Sequence, residues 1–193
     1  MKVLLINGSR RPGGCTCTAL KLVAGELNAA GIETELLQVG HGVLSGEVNA
    51  LVKQAIALMR DADGLVIGSP VYYASASGEV QMFLDRLFME GHDVLCRKPC
   101  ACLVSARRAG TTAALDALNK YPTICEMPLV SSLYWNMVHG HTPEDVMQDL
   151  EGVHIMQSLG RNMAWLLKCI EAGKNDGIKY PEHEEVTFTN FIR

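Results

Sequence analysis

Three short stretches of this chain hold most of its capacity for chemistry. The first is Gly8-Ser9-Arg10-Arg11-Pro12-Gly13-Gly14-Cys15-Thr16-Cys17-Thr18. It comes after an apolar run, Val3-Leu4-Leu5-Ile6, and precedes a segment in which Leu20, Val23, Leu27 and Ala30 recur at helical spacing. A buried strand, a loop of small residues and a helix, in that order, make an anion site. The amides at the helix start have no partner of their own, and the positive end of the helix dipole favours a phosphate. Ser9, Thr16 and Thr18 add hydroxyl donors there, and Arg10 and Arg11 add charge.

The kind of phosphate is narrowed by what the loop lacks. Gly8 is followed by Ser9-Arg10-Arg11, so the dinucleotide fingerprint G-x-G-x-x-G is absent. The loop has no Gly-Lys-Ser/Thr triplet either, which excludes the nucleoside-triphosphate loop. Cys102 and Arg108 match the C-x5-R spacing of a phosphatase loop. Cys102 falls inside an apolar run, however, and Ala109 rather than Ser or Thr comes after the arginine, so that match is accidental. A loop richer in hydroxyls than in lysine suits a terminal phosphomonoester, such as that of flavin mononucleotide (FMN).

The second stretch is Ser69-Pro70-Val71-Tyr72-Tyr73-Ala74-Ser75-Ala76-Ser77-Gly78, just past the apolar run Gly64–Gly68. Ligands of open α/β sheets bind beyond the carboxyl ends of the strands. Pro70 stiffens this loop, and an adjacent tyrosine can cover a flat ring. The third stretch, Ser105-Ala106-Arg107-Arg108-Ala109-Gly110-Thr111-Thr112, again places small and basic residues at a strand's carboxyl end. His41 lies alone in the glycine-rich loop 40–46 and reads as solvated surface.

The elements that must position these stretches alternate regularly. Strands are expected at 3–6, 33–39, 64–68, 99–106 and within 123–133, where Pro128 suggests an edge strand or a bulge. Helices are expected from Thr18, over 48–59, over 80–88 with Ser77 as cap, and through Ala114, Leu115 and Leu118 with Thr111 or Thr112 as cap. Thr142-Pro143-Glu144-Asp145 opens a long final helix ending near Ile170. Tyr134, Trp135, Met137 and His139 fall in a connection before it. Five βα units specify an α/β fold, a three-layer doubly wound domain over residues 1–172. The economical parallel strand order is the flavodoxin-like 2-1-3-4-5. Residues 173–193 form a tail whose Val186, Phe188, Phe191 and Ile192 suggest packing on the domain or on a neighbouring subunit.

Composition narrows the class further. The 193 residues are 48% hydrophobic and 20% charged, the proportions of a single globular domain. A net charge of −4 without a basic run argues against nucleic acid. No apolar run approaches the ~20 residues that span a bilayer, and Met1 leads straight into the first strand. A cytoplasmic protein is expected, with no membrane partner. Its seven cysteines then read as free thiols. Neither Cys15/Cys17 nor Cys100/Cys102 has the C-x2-C spacing typical of zinc or cluster ligands, and no reactive cysteine is expected.

Gly8 to Thr16 resembles the G-S-x-R-x-G-x-[NS]-T loop of NADPH-dependent FMN reductase-like flavoproteins. Gly68-Ser69-Pro70-Val71-Tyr72 and Phe83-Leu84-Asp85-Arg86 resemble their second signature, and the similarity runs on through Leu159-Gly160-Arg161-Asn162-Met163. The resemblance implies that Ser9, Arg11, Cys15, Thr16 and Cys17 hold the FMN phosphate, some through backbone amides. It places Pro70, Val71, Tyr72 and Tyr73 against the isoalloxazine, and Ser105, Ala106, Arg107, Gly110 and Thr111 at the ring's other edge. Cys15 stands where the family usually has Asn or Ser. The iron–sulfur branch of the family carries a cysteine cluster after the second strand, whereas residues 38–60 contain no cysteine here, so FMN without iron is expected. The implied activity is NAD(P)H-dependent reduction, through bound FMN, of a small acceptor such as a quinone, nitro or azo compound. The alternative is an electron carrier or redox-sensing flavoprotein. No side chain is assigned as catalytic, because the flavin carries the chemistry, and a homodimer or homotetramer is implied by resemblance.

Overall fold

The computed structural model describes residues 1–182, 187–189 and 191. The chain begins with β1 (Lys2–Asn7), α1 (Cys15–Ala29), β2 (Glu33–Gln38), α2 (Gly40–Leu44) and α3 (Val48–Asp61). It continues through β3 (Gly64–Tyr72), β4 (Ser75–Ala76), α4 (Gly78–Glu90) and α5 (His92–Leu95). Then come β5 (Cys100–Ala106), α6 (Thr111–Ile124), β6 (Met137–His139), α7 (Pro143–Gln148) and α8 (Leu150–Asn175). The parallel path is β2-β1-β3-β5-β6, and the short β4 pairs antiparallel with β3. Counted without β4, this is the expected 2-1-3-4-5 order.

The alternation of side chains along β1 builds the three layers. Leu4 and Ile6 enter the apolar cluster shared with α3, α4 and α6. Val3 and Leu5 point the other way, into the cluster shared with α1 and α8. Both faces of the sheet are therefore covered, which is why its central strands read as unbroken apolar runs.

Four local expectations change. Thr123 and Ile124 are not strand residues; they finish α6. The segment after them makes one isolated bridge, Cys100 to Leu129, and the fifth parallel strand forms only at Met137–His139. Pro128 has no N–H to offer a ladder, so pairing does not extend through it. The cap of α6 is Gly110, in the left-handed region at φ 103°, with Thr111 inside the helix. The loop after β2 coils into α2. The final helix is two helices, separated at Asp149, whose carboxylate accepts from the Gly152 amide (3.0 Å) and the His139 amide (2.7 Å).

α8 runs to Asn175. The Tyr180 hydroxyl then donates to the Arg97 carbonyl (3.4 Å), tying the start of the tail to the domain. Phe188 and Phe191 are exposed, while Val186 and Ile192 lie outside the described residues. Among the described residues no helix is long and apolar enough to cross a membrane.

The turn between β3 and β4 carries strain. Tyr72 pairs with Ser75, leaving Tyr73 (φ 51°) and Ala74 (φ 57°) as its two central residues. Two-residue hairpins of this type need positive φ at both places, and glycine or asparagine usually supplies it. A left-handed alanine costs about 1–2 kcal/mol, against roughly 0.5–1 kcal/mol for the added freedom of glycine in the unfolded chain. Ala74→Gly is therefore expected to stabilise the protein by about 0.5–1 kcal/mol. Urea denaturation would show this as a higher midpoint, and an unchanged or lower midpoint would contradict the strain.

Candidate functional site

The amides of Cys15, Thr16 and Cys17 open α1, and among the described residues none meets a backbone or side-chain acceptor. Gly14, in extended conformation, caps the helix without a side-chain bond, and no acidic residue occupies the first turn. The dipole end therefore remains available to an anion.

The loop before α1 is braced from behind. Asn7 is fully buried, and its side-chain amide donates to Gln38 Oε1 at 2.7 Å. Its Oδ1 accepts from the Ser9 amide at 3.1 Å, and Gln38 in turn donates to the Ser9 carbonyl. The Arg11 amide donates to Ser9 Oγ (3.2 Å), so the serine hydroxyl also shapes the turn. Gly8 donates to the Gly68 carbonyl (2.8 Å), and a Cβ there would lie 2.6 Å from Val80 Cγ2. Close approach of the Val80 side chain and the Gly68 carbonyl, rather than an unusual φ, requires glycine at this position.

One cavity of about 500 Å³ joins this loop to the other two stretches. Of the expected phosphate residues, Ser9, Arg11, Cys15 and Thr16 line it. Of the expected ring residues, Pro70, Val71 and Tyr72 line it from β3, and Ser105, Ala106 and Arg107 from β5 and the loop after it. Thr16 Oγ1 and Ser105 Oγ are 2.8 Å apart, a buried hydrogen bond that ties the head of α1 to β5. Arg10 is engaged elsewhere. Its guanidinium lies 5.6 Å from the centre of the Tyr72 ring and its Nε 3.6 Å from Glu79, which leaves Arg11 as the loop arginine at the cavity.

Four expected residues lie off the lining. The Cys17 side chain is buried beneath the first turn, so only its amide is presented. Tyr73 projects wholly into solvent from the hairpin turn. Gly110 packs against Ala74 at the start of α6, and Thr111 is buried behind it.

Sequence reasoning misses a wall. Gly140, His141, Thr142 and Pro143 complete the cavity from the loop between β6 and α7. Thr142-Pro143-Glu144-Asp145 is recognisable as a helix start. The strand feeding it is expected too early in the chain, however, and that conceals the loop's position beyond a strand end. Thr142 and Asp145 form a reciprocal capping box. The amides of His141 and Thr142 both donate to Asp145 and hold its carboxyl below the usual carboxylate range. The Cys15 thiol contacts the Gly140 carbonyl at 3.6 Å, and burial pushes its pKa up, with Asp145 adding to the effect.

The residues fit FMN on their own geometry. Three free helix amides and Arg11 suit the phosphate, Pro70–Tyr72 provide a stiffened wall for a flat ring, and 500 Å³ is within the usual range for cofactor sites. The sheet order and the site together define a flavodoxin-like protein with its anion cradle at the head of the first helix. A solved flavodoxin from the domain Archaea shares this fold with a TM-score of 0.65 at 14% identity, covering 87% of this chain and 99% of that one. A model of the NADPH-dependent FMN reductase family matches residues 1–142, and the chain belongs to that family. It is accordingly an FMN-dependent oxidoreductase in general class. Among its relatives is an iron–sulfur flavoprotein of Methanocaldococcus jannaschii, 27% identical over 89% of this chain and 100% of the relative. Another is an NADPH azoreductase of a Bacillus species, 30% identical over 80% of this chain and 79% of the relative. Among the described residues no group of three or more His, Cys, Asp or Glu is placed to hold a metal ion.

Proposed function

We propose that the protein oxidises NADH or NADPH and delivers the reducing equivalents, through FMN in the cavity over the strand ends, to a quinone, a nitro or azo compound or a similar small acceptor. The observation that carries this reading is the continuity of the cavity, which runs without a break from the free amides of α1 to the Pro70–Tyr72 wall. The bound flavin supplies hydride chemistry. The chain's own residues bind and orient. In this reading Ser9, Arg11, Thr16 and the amides of Cys15 and Cys17 hold the phosphate, and Pro70, Val71 and Tyr72 face the ring. Ser105, hydrogen-bonded to Thr16, sits beside the cradle, Ala106 and Arg107 approach the ring's other edge, and Gly140–Pro143 exclude water on the remaining side. The name of the Bacillus relative supports NADPH as one donor.

The proposal includes FMN as the redox group without iron, because residues 38–60 hold no cysteine. It includes function in the cytoplasm, where free thiols persist. It also includes a homodimer or homotetramer, for which the exposed Trp135 and Trp165 provide apolar contact surface. The test is an absorption spectrum of the purified protein followed by anaerobic NADPH. Flavin bands that bleach within seconds, and return on adding a quinone, are the expected result. Flavin bands that neither NADPH nor NADH bleaches would refute nicotinamide-dependent reduction and leave the electron-carrier reading standing.

A further inference from the structure

Arg10 belongs to the phosphate loop but not to the cavity lining, and its contacts give it a separate task. Its guanidinium carbon lies over the Tyr72 ring, 5.6 Å from the centre, and its Nε lies 3.6 Å from Glu79 Oε1. Tyr72 is the only Tyr, Trp or Phe on the cavity lining among the described residues. The contact with Arg10 therefore falls on the lining's one large ring, from a residue outside the lining.

That ring needs holding. Tyr72 is the last residue of β3, 40% exposed, and the left-handed pair Tyr73 and Ala74 comes directly after it. A half-exposed side chain at a strand end keeps rotamer freedom that a contact must remove. Glu79 anchors the contact from the other side. It lies in the first turn of α4, where the helix dipole favours a carboxylate, and its side chain is only 14% exposed. The same turn is locked to the phosphate loop, because Ser77 Oγ donates to the Gly8 carbonyl (3.2 Å) and Val80 packs against Gly8. An exposed ion pair alone holds little. Here one planar guanidinium is shared between a largely covered carboxylate and a ring face, which fixes its orientation at both ends.

We propose that Arg10 and Glu79 are positioning residues for Tyr72, a clamp that sets the ring facing the isoalloxazine and so couples the phosphate loop to the redox end of the site. The inference rests on the reading of the cavity as an FMN site. Arg10 touches neither flavin nor substrate in it and acts through the Tyr72 ring.

The test is the fluorescence lifetime of FMN bound to the full chain. A tyrosine in contact with excited flavin quenches it by lending an electron that returns in the same cycle, so the lifetime reports where the ring sits. Arg10→Ala should lengthen the mean lifetime by about two- to five-fold, the population shift expected when an exposed cation–π contact is lost. Arg10→Lys keeps a cation near the ring and should restore most of the quenching, and Glu79→Gln should fall between. FMN affinity should stay close to that of the wild type, because Arg11 and the α1 amides hold the phosphate. Tyr72→Phe should lengthen the lifetime by itself, and adding Arg10→Ala to it should change nothing further. An Arg10→Ala lifetime equal to the wild-type value would overturn the clamp. So would a lengthening that persists in the Tyr72→Phe background, because Arg10 would then act on the flavin or the loop directly. A wild-type protein that takes up no FMN would overturn the cavity reading and the clamp together. The lifetime requires bound FMN but no nicotinamide, so failure of NADPH-dependent reduction and failure of the clamp are read separately.

Discussion

Gly40→Ala is expected to abolish practical FMN retention, with affinity falling at least about 100-fold, equivalent to roughly 2.7 kcal/mol. A Cβ at this position would lie 2.5 Å from the Ser9 carbonyl oxygen and closer still to the carbonyl oxygen of Gly8. Both are backbone atoms of the phosphate loop, so no side chain can swing aside. The loop must move, and it is the same loop that Asn7 and Gln38 hold in place through Ser9. Overpacking of this kind typically costs about 1–3 kcal/mol in stability as well. Fluorescence titration of FMN into the apo variant would measure the affinity, and urea denaturation the stability. Gly25→Ala is the matched control. Its Cβ meets nothing within 4 Å on the exposed side of α1, and replacing a helical glycine should raise stability by roughly 0.5–1 kcal/mol. A Gly40→Ala protein that binds FMN as tightly as the wild type would mean that the loop and α2 do not approach as described.

Phe83→Ala is expected to have the largest effect on stability. Phe83 is fully buried in the cluster between the sheet and the α3, α4 and α6 layer. Truncating a core phenylalanine costs about 3–5 kcal/mol, because the lost transfer free energy and the cavity left behind add together. Domains commonly have only about 5–15 kcal/mol in total. At roughly 2–4 °C per kcal/mol for a chain of this size, the midpoint should fall by about 6–20 °C. The loss should reach the site too. α4 carries Ser77 at its cap, whose hydroxyl donates to the Gly8 carbonyl (3.2 Å), and Glu79, which faces Arg10. Differential scanning calorimetry with and without FMN would measure both effects. Phe83→Leu, nearer in volume, should lose less than half as much. A fall below about 1 kcal/mol for the alanine variant would contradict the packing of this layer.

Part of the site is legible in the sequence because its signals are local. Val3–Ile6, the loop Gly8–Gly14 and the helix after it are contiguous, so hydrophobic period and turn chemistry mark the anion cradle directly. Pro70–Tyr72 and Ser105–Arg107 each come after an apolar run, and the rule that ligands gather beyond strand ends is enough to select them. The misplaced fifth strand shows where such reasoning stops. Thr123, Ile124 and Cys125 are β-branched or small and apolar, yet α6 continues to Ile124, its apolar face (Ala114, Leu115, Leu118) already packed on the sheet. Tertiary packing overrides local propensity there, and the wall Gly140–Pro143 is hidden as a result.

Other features depend on encounters between segments far apart in sequence. Gly40 looks like any loop glycine until α2 is seen pressed against Gly8 and Ser9. Arg10 and Arg11 are equivalent by residue type; the family loop pattern singles out Arg11, and the positions of Tyr72 and Glu79 give the physical reason, by engaging Arg10. Tyr73 beside Tyr72 reads as a second ring contact, but a two-residue turn with positive φ at both centres points it into solvent.

The amino-acid order by itself determined the doubly wound architecture, the phosphate cradle and the aromatic wall, because each depends on the period of apolar residues and on the residue types just past a strand's carboxyl end. Only the tertiary structure decided which glycines cannot be replaced and which loop closes the last side. Those outcomes are set by distances between chain segments tens of residues apart, and such distances leave no trace in local composition.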